Sequence, residues 1–228
     1  MTKGWRLATT FGVLAVAVAG IVYVVILLLG SPPTVDYTAN HQAGQPVDVT
    51  LQAVGTYGSG DQPTWVSYLV QDPSGQWVHT TLFTVPANTR INVTIYNYDS
   101  GSPLRNQQIG QVTGTLGSFA TLNGRPFRVI NSYASSGFGS NGVGHTFSIP
   151  TLGLSVPLYG NNANANLCAA APCTTSSPHQ IIRFSFTSPG PGQYPWQCFV
   201  PCGLGWLYGN AGPMQTVGYM GGFMKVAA

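Results

Sequence analysis

The feature that most constrains this chain is a repeated alternation of apolar and polar residues in short runs, each closed by proline or glycine. Residues 47–54 read Val-Asp-Val-Thr-Leu-Gln-Ala-Val, and period two puts every second side chain on one face of an extended strand. Residues 65–70, 77–85, 91–98, 145–149, 152–158, 181–186, 194–198 and 219–226 are further strand-like runs. Between them stand turn signals: Asp72-Pro73-Ser74-Gly75, with proline at its second position, and Pro189-Gly190-Pro191-Gly192. No stretch beyond residue 31 carries the 3.6-residue period of an amphipathic helix. Strands at this spacing predict an all-β domain, a Greek-key sandwich or barrel.

The N-terminus obeys a different rule. Residues 7–29 form a run of 23 without a charge, long enough for a helix to cross a bilayer core. Lys3 and Arg6 precede it, and the next basic residue is Arg90. This bias predicts a single-pass anchor over residues 1–31, with the N-terminus cytoplasmic and the remainder extracytoplasmic. The run is too long for the core of a cleaved leader, and it lacks a small-x-small cleavage site. Ser31-Pro32-Pro33 ends the helix, since proline cannot continue it. Residues 32–46 read as a polar linker and 47–228 as the extracytoplasmic domain. Two long insertions interrupt that domain, near 100–144 and 160–178. A structureless loop as long as the first is rare in a compact domain, and residues 108–114 and 127–130 suggest a hairpin inside it.

Charge excludes several functions. The chain has no glutamate, and after residue 30 it carries six basic and five acidic side chains. That near-neutral balance gives no electrostatic footprint for nucleic acid. Five scattered aspartates offer no paired-carboxylate site, and no nucleophile lies beside an obvious base. An enzyme acting on a small-molecule substrate is therefore not expected.

The sulfur atoms point to different chemistry. Cys168 and Cys173 sit in a polar loop and read as a local disulfide, permitted outside the cell. Cys198 and Cys202 stand four apart after an aromatic strand, with Met214, Met220 and Met224 downstream and His145 at the head of another strand. Thiolates and thioethers combined with an imidazole are the donors of a copper electron-transfer site. A second disulfide is the competing reading of Cys198 and Cys202. Structural zinc is less well matched, because it takes four strong ligands.

Four segments resemble, in order, the cupredoxin family and within it the copper-binding domain of cytochrome c oxidase subunit II. Phe83-Thr84-Val85-Pro86 running on to Ile95 resembles the strands that open that domain, and His145-Thr146-Phe147-Ser148-Ile149-Pro150 resembles the segment of its first histidine ligand. Tyr194-Pro195-Trp196-Gln197-Cys198 leads into the cysteine loop, and Met220-Gly221-Gly222-Phe223-Met224 resembles its last strand. The resemblance covers about residues 77–228. It implies metal ligands at His145, Cys198, Cys202 and Met220, with the Val200 carbonyl as a further donor and copper as cofactor, mononuclear or dinuclear. It also implies electron transfer at or within a respiratory membrane complex. The chain departs from the family at the second histidine, which falls on Trp206, or on Val217 if Met220 is the aligned methionine. Three readings follow. His179 replaces the missing ligand; or one copper sits in an altered set with Met220 or Met214; or the pair is a disulfide, the site is vestigial, and the protein is a metal-free interaction subunit.

Overall fold

The computed structural model describes residues 3–29, 32–39, 41–58, 64–101, 103–131, 141–202, 212–214 and 216–228. They fall into two units, divided between residues 31 and 32. The first is helix α1, Lys3–Leu29, which leaves Phe11, Val13, Leu14, Val16 and Ile21 exposed. Among the described residues no helix is long and apolar enough to cross a membrane. The stretch of α1 whose side chains are described without a break is 9–25. The expected anchor thus forms as a helix, and its insertion is taken up below as a proposal.

The second unit is built from strands. They are β1 (Thr34–Asp36), β2 (Val47–Tyr57), β3 (Trp65–Gln71), β4 (Trp77–Val78), β5 (Leu82–Pro86), β6 (Arg90–Asn97) and β7 (Ala120–Leu122). The rest are β8 (Arg125–Phe127), β9 (Val143–Ile149), β10 (Leu154–Tyr159), β11 (Gln180–Thr187), β12 (Gly192–Gln197) and β13 (Gly221–Ala227). One sheet runs β1-β5-β13-β12-β9-β10 and the other β4-β3-β2-β6-β11-β7-β8. The chain changes sheet between β1 and β2, β4 and β5, β5 and β6, β8 and β9, β10 and β11, and β11 and β12. Val49, Leu51, Tyr68, Ile95 and Phe184 from the second sheet join Phe83, Phe147, Ile149, Trp196 and Met224 from the first in a single buried cluster. The domain is therefore a two-sheet sandwich with one core, and each such apolar side chain contributes about 1.5–3 kcal/mol by leaving water. In β6 the expected alternation is visible, with Ile91, Val93 and Ile95 inside and Arg90 outside.

Three segments differ from the sequence expectation. Residues 77–85 read as one strand, yet β4 and β5 lie in different sheets. The hydroxyl of Thr80 bonds the Pro33 carbonyl, and the Thr81 carbonyl accepts from Phe223 N and Trp196 Nε1, so tertiary bonds pull the run apart. In the supposed linker, Val35 pairs with Phe83 as part of β1. The hairpin expected from residues 108–114 and 127–130 is instead β7–β8, turned at Asn123 and Gly124 and paired with β11. Both turn residues have positive φ, 49° and 81°, as a two-residue primed turn requires. Gln111 still meets Val129 in an isolated bridge.

Candidate metal centre

Strand β9 is buried along its whole length, between β12 and β10. His145 is its third residue and is 2% exposed. Cys198 follows β12 directly and donates its backbone N–H to the Met220 carbonyl at 2.9 Å. From there the chain turns back over β9, held by the bond from Phe199 N to Thr146 Oγ1 at 2.8 Å. The Thr146 N–H in turn donates to Cys198 Sγ at 3.3 Å. These local bonds bring two thiols onto one imidazole.

The sulfurs of Cys198 and Cys202 are 3.5 Å apart, and both residues are buried free cysteines rather than a disulfide. His145 Nδ1 lies 3.3 Å from Cys202 Sγ and 3.9 Å from Cys198 Sγ. A point equidistant from three atoms so separated is about 2.1 Å from each, inside the range of about 2.0–2.3 Å for metal–imidazole and metal–thiolate bonds. The donor triangle therefore already has the size of a metal site. The Val200 carbonyl oxygen is a fourth donor nearby, 3.1 Å from Cys202 Sγ and 3.6 Å from Cys198 Sγ. His145, Cys198 and Cys202 form a cluster of metal-ligating side chains with donor atoms all within 4.8 Å of one another.

The second imidazole nitrogen, Nε2, meets Asp99 Oδ2 at 3.0 Å. Burial pulls the His145 pKa down, but the hydrogen bond to Asp99, the neighbouring Cys198 and their charges raise it to about 9. Burial likewise opposes ionisation of Asp99, and His145 outweighs it, holding the carboxyl below its ordinary value. The thiols are pushed apart. Cys198 is opposed by burial yet held well below an ordinary thiol by hydrogen bonds from Cys202 and His145. Cys202 is pushed up by its hydrogen bond to Cys198 and by burial. Without a metal these shifts favour a thiolate beside an imidazolium. Beneath it, the Tyr68 ring is edge-on to His145 at 6.3 Å and to Trp196 at 5.1 Å, while the Tyr68 hydroxyl donates to the Thr146 carbonyl.

Of the residues expected at the site, His145, Cys198 and Cys202 converge. Met220 is fully buried and joined to Cys198 through the backbone, and Met214 packs against the same core. His179 does not join them: its Nδ1 bonds the Ser177 carbonyl, and its ring lies against Tyr96 and Tyr98. Trp206 lies outside the described residues, and Val217 is exposed. His79 is half-buried between Tyr57 and Tyr219 and bonded to Ser67 Oγ at 2.8 Å. Asp99 is the site residue that sequence reasoning missed. The disulfide expected between Cys168 and Cys173 is present. A cleft of about 390 Å³ reaches the centre, lined by Trp65, Asp99, His145, Val200, Cys202 and Pro213.

No protein-family model matches the chain, and no curated protein matches it. Among solved structures it is similar to rusticyanin, described in one case as a copper protein. A point variant of rusticyanin is 18% identical with a TM-score of 0.33, covering 86% of this chain and 83% of that one. The Thiobacillus ferrooxidans protein is 17% identical with a TM-score of 0.32, covering 85% and 82%. These likenesses are distant, and the case for a metal rests on the site's own atoms.

Proposed function

We propose that the protein binds copper through His145, Cys198 and Cys202 and passes single electrons, as a cupredoxin-type carrier held at the outer face of a membrane by α1. The observation that carries the reading is the donor triangle, two thiols and one imidazole nitrogen around a point about 2.1 Å from each. Two soft sulfurs and three strong donors match cuprous copper, whereas structural zinc closes its shell with four. Bound copper supplies one-electron exchange. The chain supplies a buried set of donors tied to neighbouring strands, which keeps ligand motion small when the charge changes. Met220, whose carbonyl accepts from Cys198 N, is the thioether that would complete the set, and the Val200 carbonyl is the oxygen donor.

Helix α1 supports the membrane reading. Its 27 residues extend about 40 Å at 1.5 Å per residue, and Lys3 and Arg6 lie at its start, as for a cytoplasmic end. The resemblance to the oxidase subunit favours a respiratory membrane complex as the electron partner.

The test is expression of the whole chain under copper-replete conditions, followed by copper and zinc analysis and a visible spectrum. Stoichiometric copper with thiolate-to-copper bands that bleach reversibly on reduction is the expected result. Zinc in place of copper refutes it. So does a metal-free product with Cys198 and Cys202 oxidised to a disulfide, which would instead indicate a structural subunit docking through its long loops.

A further inference from the structure

Asp99 stands one residue beyond Tyr98 in the segment leaving β6, 46 residues before the histidine it touches. Its two carboxylate oxygens have separate tasks. Oδ2 meets His145 Nε2 at 3.0 Å, while Oδ1 accepts from the Ser100 N–H at 2.7 Å. The backbone around it is fastened by two buried amides. Asn161 donates its N–H to the Asp99 carbonyl at 2.9 Å and its Nδ2 to the Asn97 carbonyl at 2.9 Å. Asn97 Nδ2 reaches the Tyr159 carbonyl at 2.8 Å, and Asn97 Oδ1 accepts from Asp99 N at 3.2 Å. Residues 97–99 are thereby pinned to the end of β10 and the residues that follow it.

Glycines make room for this seat. A Cβ on Gly55 would stand 2.9 Å from Asp99 Oδ1, and one on Gly144 would stand 2.7 Å from the Ser100 carbonyl oxygen. On Gly160 it would fall 2.1 Å from Gly101 N, and on Gly101 it would fall 2.1 Å from the Asn141 carbonyl oxygen. Backbone packed this closely against backbone cannot give way to a side chain. The carboxylate is therefore placed by the fold and is not swinging on a free loop.

Resting on the copper reading above, we infer that Asp99 is a positioning residue: it holds His145 with Nε2–H bound to a carboxylate, so that Nδ1 is presented to the metal. A neutral imidazole has one N–H and one lone pair, so an acceptor at Nε2 selects the tautomer whose lone pair faces the sulfurs. An anionic acceptor also makes the imidazole a stronger donor, and loss of such a partner typically costs about 10- to 100-fold in metal affinity. A stronger donor set favours the more highly charged metal, so Asp99 lowers the reduction potential.

The experiment uses the full chain and three variants, Asp99→Asn, Asp99→Ala and Gly55→Ala, with cuprous ion titrated against a chromophoric chelator. Affinity should fall about 10- to 100-fold in Asp99→Ala and less in Asp99→Asn, which keeps an oxygen acceptor. The potential should rise in both. Gly55→Ala keeps the carboxylate but crowds Oδ1, and should shift both measurements the same way. Nuclear magnetic resonance of the diamagnetic cuprous protein should show a slowly exchanging His145 Nε2–H that Asp99→Ala loses. Folded Asp99 variants with affinity within about twofold of the parent, an unshifted potential and a protected Nε2–H overturn the inference. A parent chain that takes up no copper refutes the copper reading instead. In that case the Nε2–H of the metal-free protein, protected in the parent and exposed in Asp99→Ala, still reports whether Asp99 positions the ring.

Discussion

The metal-free centre should carry one thiolate at neutral pH, and substituting each cysteine in turn shows which sulfur holds it. Cys198 is held well below an ordinary thiol despite its burial, because Cys202 and His145 both donate toward it. Cys202 is pushed the other way by the same contact. His145, with its pKa raised to about 9 by Asp99 and Cys198 against its burial, favours the imidazolium at neutral pH. The neutral-pH centre is then a thiolate at Cys198, a thiol at Cys202, an imidazolium at His145 and a carboxylate at Asp99. Two of these protons, on Nδ1 and on Cys202, stand where a metal must bind. Metal uptake should release about two protons per site, and apparent affinity should rise about 100-fold per pH unit from roughly pH 6 to 9. The proton count alone does not separate this from two ordinary thiols and a neutral histidine, but thiolate absorbance near 240 nm does. The metal-free protein should show one thiolate equivalent at pH 7, lost in Cys198→Ser and retained in Cys202→Ser. Absence of thiolate at pH 7, with both sulfurs ionising together near about pH 8.5, would refute the reasoning.

Three further outcomes are expected. Burial holds His79 neutral, with its pKa lowered to about 4, while the unfolded value is about 6.5. Its contribution is therefore complete above pH 6.5 and lost as pH falls toward 4, about 1–2 kcal/mol once solvent screening of a half-buried ring is allowed for. Urea unfolding at pH 7.5 and pH 5 should show the loss in the parent and not in His79→Phe. Gln52 clamps the disulfide loop to β2, donating Nε2 to the Cys173 carbonyl at 2.7 Å and accepting from Cys173 N at 2.9 Å. Gln52→Ala should cost about 2 kcal/mol in the same assay, by leaving both buried groups unpaired. Removing metal with a chelator should leave the far-ultraviolet circular dichroism unchanged while lowering the melting temperature, because ligand binding adds stability only by mass action on an already folded state.

Much of the fold is written locally, and what is not depends on distant atoms. Strand β6 can be read directly, since Ile91, Val93 and Ile95 alternate with polar neighbours over a half-solvated face. The break between β4 and β5 is invisible, because Trp77 to Val85 keeps a strand pattern and only Pro33, Trp196 and Phe223 reveal where it parts. The Asn123-Gly124 turn carries a strong local signal, but the strands it joins are three residues each, too short to show an alternation. At the site, the Cys198–Cys202 spacing and the strand carrying His145 were legible because ligand types and intervals are sequence properties. His179 precedes β11 at the end of the sheet where Asp99 leaves β6, but its ring is held by the Ser177 carbonyl and by Tyr96 and Tyr98, contacts that its own neighbours in sequence do not announce. Asp99 was illegible: nothing in its neighbours announces that Gly55, Gly144 and Asn161 shape a seat for it beside a histidine far along the chain.

The donors of the centre are tied into the sandwich by its own hydrogen bonds, and this bears on what it can do. Zinc-dependent small domains gather their ligands only as the metal folds them. Here Cys198 N is bonded to Met220, Phe199 N to Thr146, and Thr146 N to Cys198 Sγ, so hydrogen bonds formed on folding set the position of Cys198. Asp99 and its amide clamps hold His145 from the opposite sheet's side. The buried Val200 carbonyl and the Tyr68 and Trp196 rings leave little freedom to rearrange when charge at the centre changes. A site that takes its shape from the sandwich instead of the ion resists ligand motion on oxidation and reduction. It is in this mechanical sense, more than in the count of its ligands, that the chain is suited to carrying electrons.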